Sequence, residues 1–85
     1  MRGKESEEAQ RILRDFGYRL RTLRDEKGLS QMALALAAGV HPTYVSNVER
    51  GKRNVSLLNL VMLAKALGVP VSALFGTDGS SSDAP

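Results

Sequence analysis

Apolar residues recur along this chain at three- and four-residue spacings, in blocks separated by single glycines, and no block alternates as a strand would. Ile12, Leu13, Phe16, Leu20 and Leu23 trace one stripe and predict a helix from about residues 6–9 to about 27, with Arg14, Arg19, Arg21 and Arg24 facing away. Gly28 is its stop. Ser30 is placed to cap a short second helix over residues 31–38, whose inner face is Leu34, Ala35 and Ala38. Gly39-Val40 then reads as a tight turn, because glycine takes positive φ without steric cost. A third helix is expected from Pro42 to about residue 50, with proline at the first position, where no N–H is needed, and Val45 and Val48 on the buried side. Gly51 ends it, Lys52-Arg53-Asn54-Val55 is a loop, and Ser56 caps a fourth helix over residues 57–67 that Gly68 stops. Pro70 opens a last short helix through Ala73, Leu74 and Phe75. The expected fold is therefore all-α, with five helices in one domain over residues 9–76. Residues 1–8 are expected to be a flexible N-terminal segment and residues 77–85 a disordered tail, since neither holds enough apolar surface to order itself.

Composition narrows the function. Eighty-five residues allow one small core and no second catalytic lobe. A core of that size stabilises only marginally, so pairing of two copies would help it. The absence of cysteine rules out disulfides and thiolate metal sites and fits a reducing cytoplasm, and one histidine cannot build a zinc site alone. No apolar run approaches the roughly 20 residues of a membrane span, and no signal peptide follows the first methionine. The net charge of +3 conceals a stronger bias: residues 1–8 carry −1 and residues 77–85 carry −2, which leaves +6 on the stretch between them. A cationic domain suits a polyanion, whose condensed counterions are released on binding.

The informative stretch is residues 30–54. A capped, alanine-rich helix, a glycine turn and a second short helix form the bihelical unit that presents one helix to a major groove. The small residues Ala35 and Ala38 let the two helices approach closely. The outward side chains of the third helix are Pro42, Thr43, Tyr44, Ser46 and Asn47, expected to read bases. Thr43 and Ser46 can donate or accept at base edges, Asn47 can pair bidentately with adenine, and Tyr44 can meet a thymine methyl or a phosphate. The alternative for Tyr44 is that its ring packs on its own domain instead. Gln31, at the start of the second helix, would sit against the DNA backbone, and Arg50, Lys52, Arg53 and Asn54 would grip the flanking strand. In isolation such a basic run is usually a solvated loop; its place just after the third helix favours phosphate binding.

These residues also carry a resemblance. Phe16-Gly17, Leu20-Arg21, Leu23-Arg24, residues 27–31 (Lys-Gly-Leu-Ser-Gln), Leu34-Ala35, Ala38-Gly39-Val40, Val45-Ser46, residues 48–53 (Val-Glu-Arg-Gly-Lys-Arg), Ser56-Leu57, Leu60, Leu63-Ala64, Ala66-Leu67 and Leu74-Phe75 resemble the Xre/Cro-type helix-turn-helix family. The resemblance implies a five-helix, lambda-repressor-like DNA-binding fold whose second and third helices form the motif. Within the family, Thr43-Tyr44-Val45-Ser46 and residues 49–57 look most like the controller proteins of restriction–modification systems, small dimers that activate or repress their own operon according to operator occupancy. By the same resemblance Thr43, Tyr44, Ser46 and Asn47 lie on the base-reading face, and Gln31, Arg53 and Asn54 match backbone-contacting positions. Pro42 stands where controllers often carry arginine, and His41 where they carry an acidic or polar cap, so a different operator half-site is expected.

The remaining singular residues have plainer roles. Glu49 is expected to pair with Arg14 or Arg24 rather than act as a catalyst, and His41 to sit at a helix entry. Leu58, Met62, Val69, Val71 and Leu74 are expected to form an exposed apolar patch and hence a homodimer interface, while Met32 and Leu36 are scattered surface residues. The expectation is a cytoplasmic, sequence-specific transcription regulator that binds double-stranded DNA as a homodimer on a palindromic operator, without cofactor, metal or small-molecule ligand. The alternative is an antitoxin-like or phage- or plasmid-type repressor whose main partner is another protein. An enzyme is disfavoured: there is no nucleophile–base set, no paired carboxylates in a cleft and no phosphate-cradling glycine loop.

Overall fold

Four hydrogen bonds from backbone amides to the side chains that precede them start the four α-helices. In the computed structural model, which describes residues 6–76, Ser6, Ser30 and Ser56 accept through Oγ from Ala9, Ala33 and Asn59, and His41 accepts through Nδ1 from the Thr43 amide at 3.1 Å. The helices that follow are α1 (Glu7–Glu26), α2 (Gln31–Ala38), α3 (Pro42–Glu49) and α4 (Leu57–Leu67). Helix α1 takes in Glu7 and Glu8, which were expected in the N-terminal segment; the rest of that segment, residues 1–5, and the predicted tail, residues 77–85, lie outside the described residues. Two acids in that first turn complement the positive helix end.

The expected fifth α-helix is instead a 3-10 helix, Val71–Phe75. Its bonds run from Ala73 N to Pro70 O and from Gly76 N to Ala73 O. Five residues between a proline and a left-handed glycine are too few to propagate an α-helical ladder. Arg19 Nε holds this turn to α1 by donating to the Ala73 carbonyl at 2.8 Å, and the rings of Phe16 and Phe75 meet at 5.6 Å.

Leu20 and Leu23 of α1, Leu34, Ala35 and Ala38 of α2, Val45 and Val48 of α3, Leu63 and Leu67 of α4 and Leu74 share one core. A fully buried leucine or valine contributes roughly 1.5–3 kcal/mol, which is what stabilises two eight-residue helices too short to persist alone. Two expectations for α1 fail. Ile12 is 59% exposed, because the N-terminal turns of this long helix run past the end of the core. Arg24, expected to face away, is 8% exposed. The reason lies on α3.

Candidate nucleic-acid interface

Helices α2 and α3 are set against each other by a glycine turn. Gly39 has φ 77°, a left-handed conformation that a side chain would strain, and its amide reaches back to the carbonyls of Ala35 and Leu36. Ala35 and Ala38 are buried where the helices meet, so α3 lies close across α2. At 100° per residue, burying Val45 and Val48 turns Thr43, Ser46, Asn47 and Arg50 to the opposite side of α3. Thr43 and Arg50 are exposed, and Ser46 and Asn47 are half-buried. Pro42 is half-buried at the first position of the helix.

Tyr44 departs from this face. Its ring packs against the core, its hydroxyl is buried without a hydrogen-bond partner, and the Arg53 guanidinium lies 5.1 Å from the ring centroid. Of the two roles open to Tyr44, packing on its own domain is the one present in this conformation, and its hydroxyl is not offered to a base. The side chain lies at the boundary between the buried and outward arcs of α3, so packing captures a ring too large to leave in water.

The C-terminal end of α3 is held by charge. Arg24 donates from Nε to Glu49 Oε2 at 2.6 Å and from Nη2 to Oε1 at 3.1 Å, a two-pronged pair, while its Nη1 donates to the Leu29 carbonyl. The hydrogen bond to Glu49 raises the Arg24 pKa above the ordinary arginine value, against the opposing effect of burial. Gln31 donates from Nε2 to Glu49 Oε1 at 2.9 Å. Expected on the DNA backbone, Gln31 thus commits one amide hydrogen inside the fold. Its second amide hydrogen and its carbonyl have no partner among the described residues. Glu49 pairs with Arg24, one of its two expected partners. The pairing cancels the one acid on α3, so the potential outside is set by Arg50, Lys52 and Arg53, all exposed. Asn54 is exposed too, with Oδ1 accepting from the Val55 amide.

Two glycines make this arrangement possible. A Cβ on Gly17 of α1 would lie 2.4 Å from the Val48 carbonyl oxygen and 2.5 Å from that of Glu49. A Cβ on Gly51 would lie 2.7 Å from Arg14 Cγ. Sequence reasoning assigned neither contact. The signal for Gly17 was its position inside a helix, where glycine costs about 1 kcal/mol and calls for a packing reason.

The expected apolar patch changes membership. Leu58 is 68% exposed, and Leu57 beside it is exposed as well. Met62, Val69 and Val71 are half-buried against the core. Leu74, expected on the patch, is 0% exposed, because the 3-10 turn points it inward to fill the space between α1 and α4. Among the described residues no helix is long and apolar enough to cross a membrane.

Comparison with known proteins agrees with this geometry. A family model described as helix-turn-helix matches residues 20–74. The control protein C.MunI of Mycoplasma sp is 48% identical over 61 residues, which cover 71% of this chain and 82% of that protein. The control protein C.BamHI of Bacillus amyloliquefaciens is 49% identical over 55 residues, covering 64% and 68%. The crystal structure of the restriction–modification controller protein C.AhdI from Aeromonas hydrophila superposes with a TM-score of 0.73 at 54% identity, over 74% of this chain and 96% of that one.

Proposed function

This chain belongs to the Xre/Cro-type helix-turn-helix family of DNA-binding transcription regulators, and from that premise we propose that it is a controller-type regulator, two copies of which occupy one operator of two-fold symmetry. The observation that carries the reading is the outward face of α3. Thr43, Ser46 and Asn47 reach solvent from a helix fixed at its far end, directly before a loop of three exposed cations with no exposed acid among them. Thr43, Ser46 and Asn47, with Pro42 at the entry, read base edges. Arg50, Lys52, Arg53 and Asn54, with the free side of Gln31, hold phosphates and fix the register. Leu57, Leu58, Met62, Val69 and Val71 supply the apolar surface through which the copies pair. Such a dimer sets its two α3 helices in successive major grooves about 34 Å apart.

The relatives named as control or controller proteins support the controller-type reading; occupancy of its own operator is the means of control this reading assigns. Footprinting on the DNA upstream of its own gene tests the whole reading. Two protected half-sites one helical turn apart, related by a dyad, are expected. A single unsymmetrical footprint would remove the dimer, and no protection at any protein concentration would remove the operator.

A further inference from the structure

We propose that the N-terminal half of α1 adds a phosphate-binding subsite to the DNA surface, built on Arg14 with Gln10 beside it; this rests on the α3 reading above. Both residues lie outside the segment that matches the helix-turn-helix model, which begins at residue 20. The fold nevertheless brings them to the basic loop. Residues 10, 14 and 17 form one row on α1, at the i, i+4, i+7 spacing of a single helix face. Gly17 seats that row under the carbonyls of Val48 and Glu49, and the Arg14 backbone and Cγ lie against Gly51. Following the row outward, Gln10 and Arg14 form one wall of an open cleft of about 600 Å³ whose other wall is Arg50, Lys52 and Asn54.

The chemistry of the cleft points to an anion. Three cations and two side-chain amides converge on it, and no carboxylate lines it. The side chains of Arg14, Arg50 and Lys52 have no ion pair or hydrogen-bond partner among the described residues. Glu7 and Glu8 share a neighbouring depression with Arg14 without pairing to it, so they lessen the local potential without occupying the guanidinium. Three unpaired cations held this close repel one another, which makes a bound phosphate the group that relieves them. Since Lys52 already belongs to the proposed backbone grip, the phosphate that fits is one on the same strand, just beyond the α3 contacts.

The test is the salt dependence of binding by the full chain, to its mapped operator and to an unrelated duplex. Arg14→Gln keeps the Cβ and Cγ that pack on Gly51 and removes only the charge. It is expected to weaken both duplexes alike and to lower the slope of log affinity against log salt by about 0.9 per protomer. Arg14→Lys is expected to keep the slope, and Gln10→Lys to steepen it. Arg21→Gln, at an exposed arginine of α1 near Asp25 rather than in the cleft, is the control and should leave the slope alone. An unchanged slope in Arg14→Gln, with the wild type still bound to its operator, overturns the subsite and leaves the α3 reading standing. A fall in thermal stability with no change of slope does the same, since Arg14 would then serve only packing. Wild-type protein that shows no salt-dependent preference for its operator overturns both.

Discussion

At its C-terminal end α3 is pinned by an ion pair to α1, an amide from α2, and a glycine that lets two backbones touch. Along its outward face, from the proline behind a histidine cap to Asn47, the hydroxyls of Thr43 and Ser46 and the Asn47 side-chain amide bond to nothing among the described residues. The difference separates two jobs that one short helix has to do. The pinned end removes the freedom that would blur its aim, and the outward face keeps donors and acceptors unspent for a partner. A helix whose outward groups were also satisfied would be stable and unable to read anything; one left unpinned would not hold its angle.

Breaking the pinned end should have the largest effect. Arg24→Ala leaves the Glu49 carboxylate buried without its counter-charge and is expected to cost about 3–5 kcal/mol in urea unfolding. The double change Arg24→Met with Glu49→Leu should cost clearly less than Arg24→Ala alone, since no charge is then stranded. If the double variant is as unstable as the single one, the pair is not what holds α3. Gly17→Ala comes next, at about 1–3 kcal/mol, because a methyl 2.4 Å from a carbonyl forces α1 off α3. Substituting alanine for glycine inside a helix would otherwise stabilise by about 1 kcal/mol, so a measured gain would show that the close approach is absent.

Changes on the outward face and the basic loop should spare stability and alter recognition. Asn47→Ala is expected to relax preference at one base position by about 1–3 kcal/mol. Arg53→Ala should weaken every sequence alike and flatten the salt slope by about one. Equal losses on all sequences from both substitutions would dissolve the distinction between reading and gripping. Tyr44→Phe is the smallest: removing a buried hydroxyl with no partner should leave stability unchanged or raise it by about 1 kcal/mol. A clear loss of operator affinity in that variant would show that the ring leaves its packed position on DNA.

Much of this was legible along the chain. Ser30, Ser56, Gly39 and Gly68 mark helix ends by chemistry that reaches only three or four residues, and the structure starts and stops α2 and α4 at them. The inner faces of α2 and α3 follow from spacing, because a helix repeats its own geometry wherever it packs. The 3-10 turn was misjudged because a five-residue segment has no period to measure, and Leu74 with it, since apolar character alone does not say whether a leucine faces the core or a neighbour. Ile12 shows the reverse error: an apolar stripe continued past the end of what it could pack on.

What the sequence alone determined is therefore local: helix number up to α4, the caps that start and stop α2 and α4, the buried faces of α2 and α3, and a basic loop after the third helix. Tertiary structure decided which arginine of α1 meets Glu49, 25 residues away, which end of α1 reaches the basic loop, and that the Tyr44 hydroxyl turns inward. Caps and periodicity are written in neighbouring residues, whereas a buried charge pair or a glycine contact exists only once distant segments are brought together, and that depends on how the whole core closes.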